Sequence, residues 1–104
     1  MLDTVAKAST GATRETLTWR ALKPVILEAV EVQDADNPAL ITLVICPRGS
    51  TSLGAALISG PSSIPGGQIT WTGRMHMAPE EEIRGYIDYS TAADRLFLSV
   101  KVAP

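Results

Sequence analysis

The sequence predicts an all-β fold: a small antiparallel β-sandwich of the jelly-roll kind with about seven or eight short strands. Three observations lead to this prediction. Leu96, Leu98, Val100 and Val102 recur at every second position, which fits only a period of two. Turn residues interrupt the chain about every ten positions, the spacing typical of sandwiches and barrels. No stretch with a 3.6-residue period and helical length lies between the strands, so β-α-β units are excluded.

The first predicted strand begins after residue 16, where Leu17, Trp19 and Ala21 alternate with polar residues until Pro24 removes a ladder donor. The second predicted strand follows at once and has glutamates on opposite faces, which predicts a bulge or an exposed second half. This second strand covers residues 25–33, and a turn rich in aspartate follows it at 34–38. Residues 40–46 are apolar at nearly every position, which predicts a strand at the centre of a sheet.

The second half of the chain alternates between loops and strands. Residues 47–52 and 59–67 carry the glycines, prolines and serines of loops, with a short apolar segment at 53–58 between them. Gly73, between the first two of the strands that follow, is predicted to mark a bulge that lets one strand bend across two sheets. Those strands are predicted at residues 68–72, 74–77, 82–89 and 95–102.

Residues 1–15 form the predicted N-terminal arm, and residues 16–104 the β-sandwich domain. The arm is small, polar and rich in Ser, Thr and Ala, with a weak apolar cluster at Leu2 and Val5. Such a segment buries little by itself, so we expect it to be extended and ordered by neighbouring subunits. Leu2 and Val5 are the predicted assembly contacts of the arm.

Composition and charge exclude several classes of protein. The 104 residues include nine basic and eleven acidic ones, for a net charge of −2, and the basic residues are scattered. A nucleic-acid partner is therefore not expected. The longest apolar run, 38–46, is about half of a membrane span, and no signal pattern precedes it, so we expect synthesis in the cytoplasm and no membrane partner. The single Cys46 cannot form an internal disulfide and is expected to be a buried thiol.

Residues that could carry chemistry are few. His76 is the only histidine and has no second ligand at metal spacing. Residues 80–82, three glutamates, predict a solvated turn, because neighbouring strand residues point to opposite faces and cannot act as an acid/base pair. The alternative for these glutamates is a calcium site shared with Asp88 and Asp94. No serine lies in a G-x-S-x-G elbow, and no phosphate loop is present. The sequence therefore predicts no enzyme, no catalytic residue, no cofactor and no metal.

Four aromatic side chains are the candidate core or interface anchors. Trp19 and Trp71 fall on alternating apolar faces, which favours the core or an interface. Tyr86 and Tyr89 lie in the predicted strand 82–89. A glycan-binding protein would place Trp71, Tyr86 or Tyr89 on an outer face, whereas a decoration protein would bury them in its core or at a protein contact.

The order of several short motifs resembles a group of small β-rich bacteriophage structural proteins of the virion-accessory kind. The resemblance covers about four-fifths of the chain, from about residue 18 to the end. The matching pieces are Trp19 with Pro24, the strand 25–32, TLVICPRG at 42–49, ITWTG at 69–73, IRGY at 83–86 and the closing strand 96–102. Where that group has a Gly-Asp turn before its I-R strand, this sequence has APEEE at 78–82.

The resemblance implies a virion component that decorates the capsid or joins parts of the particle, such as a head-neck or tail accessory protein. Its partners would be major capsid or other virion proteins, and a symmetric homo-oligomer such as a trimer is expected. A carbohydrate- or receptor-binding β-module of a tail or fibre is the alternative. A hydrolase on a jelly-roll scaffold would need a polar catalytic cluster that the sequence lacks.

Overall fold

The computed structural model describes residues 2–46, 55–62 and 68–104. These residues form eight β-strands: β1 (Leu2–Ala8), β2 (Arg14–Arg20), β3 (Val25–Asp34), β4 (Ala39–Cys46), β5 (Ala55–Ser62), β6 (Gln68–Met77), β7 (Glu82–Asp88) and β8 (Arg95–Val102). Within these ranges the chain contains no helix that could cross a membrane.

The strands form two four-stranded antiparallel sheets. Sheet I has the order β1-β8-β3-β6, and sheet II has the order β2-β7-β4-β5. All pairings within them are antiparallel. Among these eight strands, β4 and β5 alone are consecutive along the chain and lie in the same sheet. Every other pair of consecutive strands is divided between the two sheets. The predicted fold class, a small antiparallel β-sandwich, is confirmed.

The core lies between the sheets and follows the predicted alternation. All four apolar residues of β8 in the alternating series are buried, as are Leu27, Val30 and Val32 of β3. The sheets approach closely at Gly85, where an added Cβ would lie 3.0 Å from a methyl carbon of Val32. Any larger residue at this position would therefore push against the Val32 side chain where β7 packs on β3.

The two predicted bulges are present and lie opposite each other. The register between β3 and its neighbours shifts between Leu27 and Ala29, beside one of the two glutamates on which the prediction was based. On β6 the extra residue lies between Thr72 and Met75, at the predicted Gly73. The segments predicted at 68–72 and 74–77 therefore form one strand, and this strand lies in sheet I alone, so the predicted bend across two sheets does not occur.

The N-terminal segment is part of the sandwich, which corrects the predicted arm. β1 pairs with β8 along its whole length, from Leu2 opposite Lys101 to Ala8 opposite Arg95. The proposed boundary after residue 15 falls inside β2. The physical reason is that main-chain hydrogen bonds to the open edge of β8 do not depend on apolar side chains, so a polar segment can complete the sheet.

The middle of the chain differs from the prediction at one boundary. β5 continues to Ser62, whereas the sequence predicted a loop from residue 59. The predicted loops at 47–52 and 63–67 and the beginning of the predicted segment 53–58 lie outside the described residues, as does the side chain of Cys46.

Candidate functional site

Two of the predicted anchors are buried, in different places. Trp19 is 8% exposed in the core between the sheets, and its indole N–H donates to Asp3 Oδ2 at 2.9 Å. Tyr86 is also 8% exposed but points outward from sheet II, where it packs with Val44 and lies under the Arg14 guanidinium, 4.8 Å from the ring centroid. Tyr86 is therefore covered by polar and apolar neighbours on what alternation alone makes an outer face.

The other two aromatic anchors are more accessible. Trp71 is half-buried against the core, and its indole passes so close to Gly73 that a Cβ there would lie 2.8 Å from Trp71 Cζ2. Tyr89 is 74% exposed just after β7 and has a positive φ of 61°. The four aromatic residues do not converge on one surface.

The predicted assembly contacts of the N-terminal segment face different directions. Leu2 is 68% exposed on the edge strand β1. Val5 packs against the core cluster. Leu2 is therefore the more accessible of the two side chains, and Val5 is only partly exposed.

Two polar contacts join the edge strands of the two sheets. The first is the hydrogen bond from Trp19 to Asp3, and the second is the ion pair between Lys7 Nζ and Glu15 Oε2 at 2.6 Å. Glu15 also accepts hydrogen bonds from the main-chain N–H of Thr10 at 2.8 Å and from its hydroxyl at 2.5 Å. The bonds from Lys7 and Thr10 lower the pKa of the buried Glu15 to about 2.

The low pKa of Glu15 predicts a pH dependence of stability. Because the folded-state pKa is below the ordinary value of 4.5, the stabilisation is present above about pH 4.5 and is lost as pH falls towards 2. It amounts to about 2–3 kcal/mol. Denaturant titrations of wild type and Glu15→Gln should show a difference in unfolding free energy that shrinks across this range. Glu31→Gln, on the outer face of sheet I, controls for the loss of one carboxylate. A difference in unfolding free energy between wild type and Glu15→Gln that does not change with pH would contradict the prediction.

Three connections meet at one end of the sandwich, here called the loop end, which comprises residues 9–13, 34–38 and 89–94. The hydroxyls of Ser9 and Ser90 lie 2.7 Å apart. The main-chain N–H of Ser9 donates to the carbonyl of Asp94 at 2.8 Å, and Ala93 N donates to the carbonyl of Ser9 at the same distance. These bonds fix the β7–β8 connection against the end of β1.

Three aspartates converge at the loop end. Asp34, Asp36 and Asp94 place carboxylate oxygens within 4.8 Å of one another. Asp34 ends β3 and Asp94 directly precedes β8, and these strands are neighbours in sheet I. Ala35 N donates to the carbonyl of Arg95 at 2.9 Å, which holds the two strand ends together.

The carboxyl group of Asp34 is the unusual member of this cluster. The residue is 0% exposed, and its Oδ1 accepts the main-chain N–H groups of Asp36 at 3.0 Å and Asn37 at 3.1 Å, as in an Asx turn. Its Oδ2 is buried and accepts no hydrogen bond from any described residue. Burial raises the pKa of Asp34, and the hydrogen bond that its protonated carboxyl group forms with Asp94 raises it further.

The other two carboxylates have donors. Arg95 Nη2 donates to Asp36 Oδ1 at 2.8 Å, and this contact lowers the pKa of Asp36. Asp94 accepts from Asn37 Nδ2 at 2.6 Å and from Thr91 N at 3.0 Å. The ion pairs among the described residues include one to Asp36 and none to Asp34 or Asp94.

The calcium arrangement considered from sequence does not form. Glu82 begins β7 and pairs with Arg20 and Arg84, whereas Asp88 ends β7 and is held by Arg14. A seven-residue strand separates its ends by about 20 Å, so residues 80–82 cannot share an ion with Asp88. The sequence signal for the observed cluster is the Asp-x-Asp spacing at 34–36, but Asp94 joins it only through the pairing of β3 with β8.

His76 and the loop-end serines lie at opposite ends of the molecule. His76 is opposite Ile26 at the start of β3, whereas Ser9 and Ser90 lie near the end of β3. His76 lines an open groove of about 370 Å³ beside Lys23, Pro24 and the C-terminal residues 102–104. A second groove of about 240 Å³ on the outer face of sheet I is lined by Glu31, Gln33, Phe97 and Ser99.

The fold is similar to that of distant solved structures. The GH26-CBM35 β-(1,4)-mannanase of Podospora anserina superposes with a TM-score of 0.54 at 8% identity, over 99% of this chain and 28% of that chain. A CBM4 structure gives 0.42 at 14% identity, over 93% of this chain and 64% of the other. A structure of the infectious bursal disease virus Gx strain gives 0.32 at 8% identity, over 96% and 33%.

This chain thus spans less than two thirds of each of these proteins. No family model matches the sequence, and no curated protein sequence matches it either. The similarity to the mannanase structure, at such low identity, shows the β-sandwich fold alone.

Proposed function

We propose that this chain is a non-enzymatic structural protein of a bacteriophage virion, a capsid decoration or head-neck accessory protein that acts through protein–protein contacts. It would be made in the host cytoplasm, form a homo-oligomer, with a trimer favoured, and bind the major capsid protein or another virion protein. The motif order described above supports the phage setting.

The observation that carries the proposal is the placement of Tyr89. It is an exposed aromatic at the loop end, held in a left-handed backbone conformation that is uncommon for a non-glycine residue. Its main-chain N–H donates to the carbonyl of Thr13 at 2.9 Å, so its backbone is fixed. Leu40, which is 44% exposed, lies opposite Asp88, the residue before Tyr89. A fixed tyrosine beside an exposed leucine suits a protein contact, where tyrosine is enriched among the residues that dominate binding.

We expect Tyr89→Ala to weaken binding of the purified protein to particles that lack it by at least about tenfold, which matches the loss of a contact residue worth more than 1 kcal/mol. Its melting temperature should change little, because the side chain is exposed. Binding is measured by co-sedimentation with particles and quantitative mass spectrometry. Leu22→Ala is the matched control, since Leu22 is 87% exposed in the β2–β3 turn at the opposite end.

Two results would count against the proposal. If wild-type protein does not bind the particles, the virion role is wrong. If it binds and Tyr89→Ala binds equally well, the role stands but the contact surface lies elsewhere.

The second candidate function is that of a carbohydrate- or receptor-binding β-module. The observation that favours it is the groove on the outer face of sheet I, where the half-buried ring of Phe97 lies among Glu31, Gln33 and Ser99. A ring beside polar side chains can stack on a sugar while they bind its hydroxyls. A glycan array separates the two functions: binding that is lost in Phe97→Ala and retained in Tyr89→Ala would favour the carbohydrate module.

A further inference from the structure

The unsatisfied carboxylate oxygen at the loop end needs a partner. Asp34 Oδ2 is buried and has no donor among the described residues, and the carboxyl group of Asp94 lies beside it. When both are ionised, these two adjacent carboxylates repel each other, and a buried charge without a partner is costly. The guanidinium of Arg95 contacts Asp36 and does not form an ion pair with Asp34 or Asp94. A bound cation would satisfy this oxygen and remove the repulsion.

The donor set fits calcium. Ca²⁺ takes oxygen ligands at about 2.3–2.6 Å, so two oxygens on opposite sides of the ion are about 5 Å apart. The three carboxylates lie within 4.8 Å of one another. Rotation of the Asn37 side-chain amide would present its oxygen in place of the nitrogen that now lies 2.6 Å from Asp94 Oδ1, which adds a fourth protein ligand. Arg95 is an exposed side chain that can move away from Asp36.

We propose that Asp34, Asp36 and Asp94 form a calcium-binding site that joins the β3–β4 connection to the β7–β8 connection. The ion would link two segments that are 58 residues apart in sequence (94 − 36). It would stabilise the end of the sandwich that carries Tyr89. This site is independent of the proposed virion role, and its test uses the purified chain alone.

The test compares melting temperatures in 1 mM CaCl₂, in 1 mM MgCl₂ and in EDTA, with isothermal titration calorimetry of the EDTA-treated protein. At a calcium concentration 100-fold above Kd, the wild-type melting temperature should rise by about 10 °C over that in EDTA. Calorimetry should give one calcium per chain. Magnesium should have a smaller effect, because it requires shorter bonds and octahedral geometry.

Asp34→Asn and Asp94→Asn locate the site. Each should abolish the calcium-induced shift, and Asp34→Asn should melt at or above the wild-type temperature in EDTA because it removes the repulsion between carboxylates. Glu31→Gln should retain the full shift. If a buried variant fails to fold, Asp36→Asn, at a partly exposed position, replaces it. NMR amide shifts of the wild-type protein on adding calcium should be confined to residues 34–37 and 91–95.

Three results would overturn the inference. A melting temperature and a calorimetric signal that calcium leaves unchanged would mean that Asp34 and Asp94 share a proton instead. A calcium-induced shift that survives in both aspartate variants would place the ion elsewhere. A magnesium effect as strong as that of calcium would contradict the assignment of the ion.

Discussion

Deletion of residues 2–8 should leave the protein largely unfolded at 25 °C. The deletion removes strand β1, exposes the edge of β8, and uncovers the part of the core against which Val5 packs. It also removes Lys7, whose ion pair with the buried Glu15 supplies part of the stabilisation of about 2–3 kcal/mol given above. Together with the lost strand pairing, this approaches the whole stability of a small domain, about 5–15 kcal/mol.

Circular dichroism and the dispersion of amide signals in NMR spectra measure this result. Leu2→Ala is the control, because its side chain is 68% exposed and its loss should change the unfolding free energy by less than about 0.5 kcal/mol. A truncated protein that melts within a few degrees of wild type would show that β1 is dispensable. In that case residues 2–8 would be the detachable arm that the sequence predicted.

Trp19→Ala should lower the unfolding free energy by about 3–5 kcal/mol, the range for truncating a large buried aromatic side chain. Trp19 is 8% exposed in the main core cluster, and the hydrogen bond from its indole N–H to Asp3 joins the two sheets. Trp71→Ala should cost less, because the Trp71 side chain is only half-buried at the side of the same cluster.

Urea denaturation of wild type, Trp19→Ala, Trp19→Phe and Trp71→Ala tests this ranking. Trp19→Phe keeps a ring in the core and removes the indole N–H, so it should lose about 1 kcal/mol for the hydrogen bond plus a smaller packing loss. If Trp71→Ala were the more destabilising of the two alanine variants, the assignment of Trp19 as the main core tryptophan would be wrong.

The predictions that succeeded depend on local patterns. The alternation in β8 determines which side chains face the core, because successive residues of a strand point to opposite faces. The bulges at Leu27–Ala29 and Gly73 were predictable because glutamates on both faces of one strand and a glycine in another disturb that alternation locally. The identity of the fold class follows from the number and spacing of such strands.

The predictions that failed concern partners distant in sequence. Residues 2–8 carry little apolar pattern, so their place in sheet I depends on the open edge of β8, about 90 residues further on, and that edge exists only in the folded chain. The burial of Tyr86, a predicted core or interface anchor, also depends on distant residues. Alternation places it on the outer face of sheet II, where it is covered by Val44 and by Arg14, which precedes it by 72 residues (86 − 14).

The sequence by itself determined the β class, the strand periodicity and the absence of a basic stripe, since these are properties of neighbouring residues and of composition. The tertiary structure decided which carboxylates meet. Asp88 and Asp94 are close in sequence, yet Asp88 pairs with Arg14, whereas Asp94 joins Asp34 and Asp36 because β8 pairs with β3. Charge clusters of this kind depend on strand order, and strand order is set by the packing of the whole chain rather than by any one segment.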